Sequence, residues 1–351
     1  MTNHYNPAEN KRIREFDALR GFSIFLVVFS HMQMMAGIGG DKTFLGEAIT
    51  SFYMALFFYI SGFFAWKAPD TNGIKKLPSM FSRKFKALVV SSIVFSSLLN
   101  YSHGVNVLEW SVSGFSHYWF TIVLFQMFII YYLCLLISKL FHKEISILLM
   151  IFTSVVALGI LRSHILYNWP INPILGLDNL CYFLQFFTFG LICRKYSAVF
   201  YKLLSKDFTI TTLLPGTFLL YCISRIPEAK SSVITLLSTF VFTYCTILLL
   251  VCLFYKSKQY FEKSGAVQNA LCLWGQRSLN IYMIHYFFLP NLLFLGEFLK
   301  PNDMILFQIG VFGIISIFDI AICILISNCI RKSQTLSNWL FGVKKVTRQE
   351  A

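Results

Sequence analysis

The sequence predicts an all-α fold, a polytopic membrane helix bundle, from three observations. Only 13% of the 351 residues are charged, whereas 56% are hydrophobic and 17% are aromatic. Soluble proteins carry about 25% charged residues. The mean hydropathy is +0.65. Apolar stretches near the length that crosses a bilayer, about 20 residues, recur along the whole chain. We therefore expect a bundle of membrane-spanning helices that satisfy their own backbone hydrogen bonds in lipid.

About ten apolar stretches are long enough to be considered as transmembrane helices. Their approximate spans are 16–36, 48–66, 86–101, 117–138, 145–161, 174–193, 209–225, 231–254, 269–290 and 304–329. The third and fifth are short, and the sixth contains Asp178. No repeat, linker or low-complexity tract separates them. We therefore expect one transmembrane domain at 16–330, between a cytoplasmic N-terminal segment at 1–15 and a cytoplasmic tail at 331–351.

The basic residues predict the orientation of this bundle. With the N-terminus inside, 23 of the 30 Lys and Arg residues fall in inner segments and five in outer segments. This asymmetry follows the positive-inside rule and predicts that both termini are cytoplasmic. The net charge of +14 does not indicate nucleic acid as a partner, because the basic residues form short clusters rather than one continuous face.

The first apolar stretch contains ionisable residues, which are costly at membrane depth and mark functional sites by default. His31 follows Arg20 by eleven residues, so it lies about 16 Å further along a helix. A neutral imidazole suits a general base that takes a proton from a hydroxyl. The alternative, a histidine that only hydrogen-bonds between helices, stays open at this stage.

Arg20 has two interpretations that its position does not separate. It contacts an anion, such as a phosphate or a thioester-bearing cofactor, or it anchors the helix at the interface, and depth alone favours the anchor. Asp17, three residues earlier on the same helical face, is the candidate partner of Arg20.

Two further positions suggest contacts with a ligand on the cytoplasmic side. Arg83 and Lys86 lie three residues apart just before a predicted helix, in a segment that begins at Lys75 and holds five basic residues. This pair suits phosphate binding, although most of these charges fit ordinary positive-inside charge. Ser61 and Gly62 suit a turn where the backbone approaches a ligand, or a plain helix end.

Three residues predict a second ligand contact in the outer half of the bundle. His117 and Trp119 begin the fourth stretch and are able to hydrogen-bond and stack on a sugar, and His285 lies towards the outer end of the ninth. For Trp119 alone, an interfacial aromatic belt is the simpler interpretation. The nine cysteines are scattered without metal-ligand spacing, so we expect no metal.

Six motifs follow one another from Asp17 to His285. They read F-D-A-L-R-G-F-S-I-F-L-V-V-F-S-H, F-F-Y-I-S-G-F-F-A, S-R-K-F-K, H-Y-W-F, Q-F-F-T-F-G-L-I-C-R-K and S-L-N-I-Y-M-I-H. In this order they resemble the acyltransferase-3 family of integral membrane acyltransferases. Its opening motif is Arg, ten residues and His. Lys86 replaces the second Arg of the family's basic motif, which puts a bidentate phosphate contact there in doubt.

The resemblance implies transfer of an acyl group, usually acetyl from acetyl-CoA, to a hydroxyl of a cell-surface or lipid-linked glycan at the bacterial inner membrane. It implies that Arg20 and His31 are essential, with Asp17 beside them. The acyl-CoA is then expected at Arg83, Lys86, Ser61 and Gly62, and the glycan at His117, Trp119 and His285. Family members often carry a fused extracytoplasmic SGNH hydrolase-like domain. We expect this chain to act alone in membrane lipid or with a separate extracytoplasmic partner.

Two other functions remain as alternatives at this stage. A transporter of a lipid-linked saccharide or polysaccharide would use the same polar core without acyl chemistry. The sequence shows neither an inverted repeat nor paired broken helices, which count among the features of secondary transporters. A membrane scaffold without enzymatic activity would need neither Arg20 nor His31.

Overall fold

A computed structural model of the chain describes residues 13–39, 43–66, 77–115, 117–224, 233–263, 265–299 and 305–343. Every regular element within these ranges is helical, as the sequence predicts. Most of the N-terminal segment, the basic residues Lys75 and Lys76, and the end of the tail lie outside the described residues.

The helices differ widely in length. They are α1 (Arg14–Met35), α2 (Phe44–Thr50), α3 (Tyr53–Ala65), α4 (Leu77–Lys84), a π-helix (Phe85–Val90), α5 (Ser91–Ser102), α6 (Trp110–Ser113), α7 (Trp119–Leu140), α8 (Ser146–Arg162), a 3-10 helix (Ile165–Asn168), α9 (Asn172–Leu175), α10 (Leu177–Lys195), α11 (Ser197–Leu204), α12 (Asp207–Ser224), α13 (Val233–Lys256), α14 (Lys258–Glu262), α15 (Ala266–Gln276), α16 (Ser278–Ile284), a second 3-10 helix (His285–Phe287), α17 (Leu293–Leu299), α18 (Ile305–Lys332) and α19 (Gln334–Phe341).

Seven helical segments of the described chain are long and apolar enough to cross a membrane. They are Arg14–Met35, Leu45–Ala65, Pro78–Ser102, Trp119–Leu140, Asn172–Lys195, Leu237–Lys256 and Ile305–Lys332. Ser146–Arg162 and Thr209–Cys222 are apolar but shorter. These nine segments correspond to nine of the ten predicted spans. The polytopic helical fold is therefore confirmed, whereas the count of ten and the cytoplasmic placement of both termini stay predictions.

Two of the predicted spans differ clearly from the structure. The third is longer than predicted, because the basic segment before it continues as helix through the π-helical turn into α5. The ninth is not one helix. It is divided at Arg277 into α15 and α16 and ends in a 3-10 turn at His285. A polar run, Gln276 to Ser278, interrupts the apolar sequence where the helix is divided.

The described chain packs as two compact units. The first unit draws on the described residues within Met1–Ile60, Tyr196–Ser278 and Leu289–Ile320, and the second on those within Ser61–Lys195, Leu279–Phe288 and Ala321–Ala351. Each unit therefore gathers segments that are distant in sequence.

In the first unit, α1 packs closely on α15 through two glycines. A Cβ atom at Gly21 would overlap the carbonyl group of Leu271, and one at Gly275 would overlap the carbonyl group of Asp17. Small residues allow helix backbones to approach in this way inside membranes. Because these contacts involve backbone atoms, they fix the position of α1 along α15.

Candidate active site

Asp17 and Arg20 occupy the first two turns of α1, and both are half-buried. An oxygen of the Asp17 carboxylate, Oδ2, accepts a hydrogen bond of 3.2 Å from Nε2 of Gln276. The charge of Asp17 also acts on the guanidinium of Arg20. The first turns of α1 therefore hold a carboxylate that is oriented by α15 and lies within electrostatic range of a guanidinium.

His31 is half-buried on the same helix, eleven residues after Arg20. Eleven residues are close to three full helical turns, so the two side chains leave α1 on nearly the same face. Asp17, three residues before Arg20, shares that face. The three ionisable residues therefore form one stripe along a membrane-spanning helix.

The surroundings of the C-terminal part of α1 include buried polar groups. Gln33, two residues after His31, donates a hydrogen bond of 3.3 Å from Nε2 to Oε1 of Gln308 on α18, and both glutamines are fully buried. Phe29 meets Phe312 edge to face, with 6.1 Å between the ring centroids. These contacts tie the C-terminal half of α1 to α18 and orient the stripe.

Ser61 and Gly62 lie inside α3 and not at a turn, which corrects that interpretation. The α-carbon of Gly62 lies so close to α10 that a Cβ atom would overlap the carbonyl of Phe187. The close backbone approach that a glycine permits is thus made to a neighbouring helix in the second unit. Ser61 is half-buried at the same level.

Arg83 and Lys86 flank the start of the π-helix in the second unit. Arg83 is exposed and Lys86 is half-buried. The ammonium nitrogen of Lys86 lies 4.6 Å from the centre of the Trp339 ring, on α19. π-helical turns occur often at functional sites, and this one places two cations beside a helix from the far end of the chain.

Local sequence explains why α19 forms there. The hydroxyl of Ser333 accepts a hydrogen bond of 3.4 Å from the backbone N–H of Leu336 and caps the first turn. Gly342 ends the helix in the left-handed region at φ +62°. Ser91 donates a hydrogen bond to the carbonyl of Leu340, so that α19 is fixed against α5.

His117 and His285 meet through an aromatic cluster of the second unit. The ring of Tyr286 lies 4.7 Å from that of His117 and 4.2 Å from that of His285. The hydroxyl of Tyr282 donates to the carbonyl of His117 at 3.0 Å, and that of Tyr118 donates to the carbonyl of Met283 at 3.1 Å. The cluster therefore joins the start of α7 to α16.

His285 is fully buried, and its tautomer follows from its contacts. Its Nδ1 lies 3.1 Å from the carbonyl oxygen of Ile281 and 2.9 Å from that of Tyr282. Carbonyl oxygens only accept, so Nδ1 carries the hydrogen. In the neutral ring Nε2 then carries the lone pair. The two contacts of Nδ1 hold the imidazole of His285 against the backbone of α16.

Trp119 stacks on Phe183, with 5.7 Å between ring centroids and 26° between ring planes. It also lines a cavity with Phe115 and Asp178. Trp119 thus belongs to a concave surface between the start of α7 and the first turn of α10. This environment differs from that of a tryptophan in an interfacial aromatic belt.

The structure gathers the predicted residues in separate groups. Asp17, Arg20 and His31 form the stripe of the first unit. In the second unit His117 and His285 share a tyrosine, and Arg83 and Lys86 lie together. Within the described ranges, no three His, Cys, Asp or Glu side chains are grouped as a metal site requires.

Sequence reasoning missed two residues of these groups. Tyr286 joins the two histidines of the cluster, and Trp339 covers Lys86. The only local signal was the sequence Y-M-I-H-Y, which places aromatic rings on both sides of His285. Nothing in the sequence around Trp339 indicated this contact, because its partner Lys86 is distant in the sequence.

A family model described as an acyltransferase domain, that of the acyltransferase-3 family, matches residues 13–328 of the chain. The search of curated proteins gives no match to this chain, and the search of solved structures gives none. The family match covers nearly the whole chain, so the chain belongs to the acyltransferase-3 family and the resemblance of its motifs is confirmed. Because several helices of its described part are long and apolar enough to cross a membrane, it is a multi-pass membrane acyltransferase.

Proposed function

We propose that this member of the acyltransferase-3 family transfers an acetyl group from cytoplasmic acetyl-CoA to a hydroxyl of a cell-surface or lipid-linked glycan at the bacterial inner membrane. The stripe of Asp17, Arg20 and His31 is the observation that carries the proposal. A carboxylate, a guanidinium and an imidazole on one face of a membrane-spanning helix are costly unless they serve a function.

We expect the acyl donor, acetyl-CoA, to bind at the basic side chains beside α19. Acetyl-CoA carries several phosphate charges, and Arg83 and Lys86 of the second unit are suited to bind them. Lys86 acts as a point charge rather than a bidentate donor. Its position against the Trp339 ring restricts where that charge points. Ser61 is proposed to contact the pantetheine arm, whereas Gly62 is assigned to helix packing against Phe187.

The depth of the stripe supports a reaction near the middle of the membrane. In the predicted orientation Arg20 enters at the cytoplasmic side, and His31 lies about 16 Å further out. The distance between them allows a phosphate end at the inner surface and a thioester near His31. A donor from inside and a glycan from outside would then meet at one imidazole.

His31 acts as the general base in this proposal. Its imidazole takes the proton of the acceptor hydroxyl while the hydroxyl oxygen forms a bond to the thioester carbonyl carbon. The carbon–sulfur bond breaks, and the CoA sulfur leaves and takes up that proton. In the variant of this route that forms a covalent intermediate, His31 first accepts the acetyl group and then passes it to the glycan.

The acceptor is expected to contact His117 and His285. The rings of His117 and His285 both contact the ring of Tyr286, so the cluster combines two imidazole groups with an aromatic face. Such a combination is able to orient a hydroxylated ligand, because a small number of polar groups among aromatic side chains fixes the orientation in which a ligand binds. Trp119 contributes from the separate cavity described below.

The test uses the purified full-length protein in lipid nanodiscs. It is incubated with acetyl-CoA that carries a radiolabelled acetyl group and with surface glycan that mild base has freed of acyl groups. We expect label in the glycan and an equal amount of free CoA. If proteoliposomes move the glycan across the membrane, and neither labelled glycan nor free CoA forms, the protein is a transporter and the proposal is wrong.

A further inference from the structure

The second unit contains a cavity in which Trp119 is the only lining residue that belongs to one of the six motifs. It has a volume of about 370 Å³ and lies between the start of α7, the loop that includes α9, and the first turn of α10. Small-ligand pockets typically have volumes of about 300–1,000 Å³. Phe115, Trp119, Asn172, Asp178 and Asn179 contribute to its walls.

The backbone builds this cavity through two glycines in the left-handed region. Gly114 has φ +86°, and a Cβ atom there would overlap the carbonyl of Pro173. Gly176 has φ +64° and ends α9 just before α10 begins. Only glycine adopts these conformations without strain. The loop is therefore held against Gly114 in a defined conformation.

The polar wall is ordered in advance. Nδ2 of Asn172 donates a hydrogen bond of 2.6 Å to Oδ2 of Asp178, and the backbone N–H of Asp178 donates one of 3.1 Å to Oδ1 of Asn172. This reciprocal pair orients the carboxylate. Within the part of the chain that the structure describes, Oδ1 of Asp178 and the side-chain amide of Asn179 have no hydrogen-bond partner, so they are able to bind a ligand.

The composition of the wall identifies the chemical class of that ligand. The indole of Trp119 is held by its stacking on Phe183 and offers an apolar, aromatic surface. A carboxylate oxygen accepts hydrogen bonds from hydroxyl groups, and the Asn179 amide both donates and accepts. Neither Lys nor Arg is among the residues that line the cavity. The negative charge of Asp178 therefore disfavours phosphates and acyl-CoA.

We propose that this cavity binds an uncharged pyranose unit of the acceptor glycan, and that Trp119, Asp178 and Asn179 select the acceptor. The proposal rests on the function proposed above, because it assigns a binding subsite for the same acceptor. It places that subsite away from the proposed donor contacts at Arg83 and Lys86. Binding of the glycan at this cavity should then change independently of binding of the donor.

The experiment measures glycan binding without acetyl-CoA and the two KM values with it. The probe is fluorescently labelled surface glycan from a host that lacks this gene, and the protein is the full chain in nanodiscs. We expect Asp178→Asn to weaken glycan binding about tenfold, the effect of a lost hydrogen bond to a charged group. We expect Trp119→Phe to weaken it as well, because part of the aromatic surface of the indole is lost. The KM for the acceptor rises in parallel, and the KM for acetyl-CoA is unchanged.

Matched controls lie in the same region. Glu109→Gln removes an acidic charge near α6, and Trp169→Phe alters an exposed tryptophan of the same loop. Both should bind glycan as the wild type does. Thermal unfolding and size-exclusion chromatography identify variants that fail to fold. If Asp178→Asn fails to fold, Asn179→Ala provides a second test of the polar wall.

The outcomes separate this proposal from the proposed function. The subsite is refuted if Asp178→Asn and Trp119→Phe bind the glycan as tightly as the wild type does. It is also refuted if the wild type shows no saturable glycan binding, even if acetyl transfer occurs. A rise in the KM for acetyl-CoA alone would show that the cavity holds the donor, which also refutes it. If the variants lose binding while no acetyl transfer is found, the subsite is supported and the proposed function fails.

Discussion

The two units of the chain hold their polar groups in different ways. In the first unit Asp17, Arg20 and His31 are spaced by the pitch of one helix, α1. In the second unit His117 and His285 come from distant segments and meet at Tyr286. The first arrangement depends on a single helix keeping its position. The second depends on aromatic rings that join segments remote in sequence.

This difference has a consequence for function. A stripe on one helix keeps the distances between its members even if the whole helix shifts, because backbone hydrogen bonds fix the rise per residue. A cluster built by tertiary contacts changes its geometry when any one ring is removed. The stripe is therefore suited to chemistry at a fixed depth, and the aromatic cluster and cavity are suited to selecting the acceptor.

The largest expected effect lies in the stripe. His31→Ala should lower kcat for acetyl transfer by about 10²–10⁴-fold, the contribution of a positioned general base. His164→Ala, which removes an exposed histidine from a loop, should leave kcat unchanged. Both values are measured with the purified protein in nanodiscs. If a folded His31→Ala variant keeps a kcat near that of the wild type, His31 has a structural role only. The assignment of the chemistry to the first unit would then be wrong.

A smaller effect is expected at the cations beside α19. Lys86→Gln should raise the KM for acetyl-CoA about tenfold without changing that for the acceptor, because a charge-assisted contact to phosphate is lost. Trp339→Leu should raise it less, since an exposed cation–π contact contributes only about 0.5–1 kcal/mol. Lys143→Gln is the control for net charge. If Lys86→Gln, Trp339→Leu and Lys143→Gln all have the same KM for acetyl-CoA, this region does not bind the donor.

The packing of α1 predicts a change in stability. Gly21→Ala should destabilise the protein by about 1–3 kcal/mol, because the added methyl group meets the backbone of Leu271. Gly159→Ala is the matched control, since nothing lies within 4 Å of a Cβ atom there. It should be neutral or slightly stabilising, as alanine favours helix. Thermal unfolding in nanodiscs measures both. Similar melting temperatures for the two variants would contradict the close approach of α1 and α15.

The smallest effect is expected at an exposed ion pair of the first unit. Nζ of Lys256 lies 2.6 Å from Oδ1 of Asp207, and this hydrogen bond holds the pKa of Asp207 below its usual value. Any stability that the pair contributes is present at pH values above the ordinary pKa of an aspartate, and it is lost as the pH falls through the lowered pKa of Asp207. Because the side chain of Asp207 is fully exposed, this contribution is small. Asp207→Asn should have the same melting temperature as the wild type, with no change between roughly pH 5 and pH 8. A clear loss would show that this surface pair holds α12 and α13 together.

The sequence predicted the features that depend on local pattern. Apolar length identified nine of the helical segments, and the spacing of Asp17, Arg20 and His31 predicted their common helix. The six motifs predicted the family. These features are readable because helical pitch and the cost of charges in lipid act on neighbouring residues.

The features that sequence did not reveal arise from long-range packing. Nothing near Lys86 indicates that Trp339 covers it. Asp178 was considered only as a weakness of a membrane span, whereas it lies in the first turn of α10 and forms a hydrogen-bonded pair with Asn172. Gly62 suited a turn by its residue type, but its position inside α3 is decided by the approach of α10. Such contacts depend on how segments meet in space.

The measurement that tests the central claim most directly uses the native host with this gene deleted. The deletion strain is complemented with wild type, His31→Ala or His164→Ala at matched expression, and O-acetylation of the intact surface glycan is measured by mass spectrometry. We expect acetylation to return with wild type and His164→Ala but not with His31→Ala. Restoration by His31→Ala would contradict the role of His31. Unchanged acetylation in all strains, with glycan export altered by the deletion, would contradict the proposed acyl transfer to the glycan.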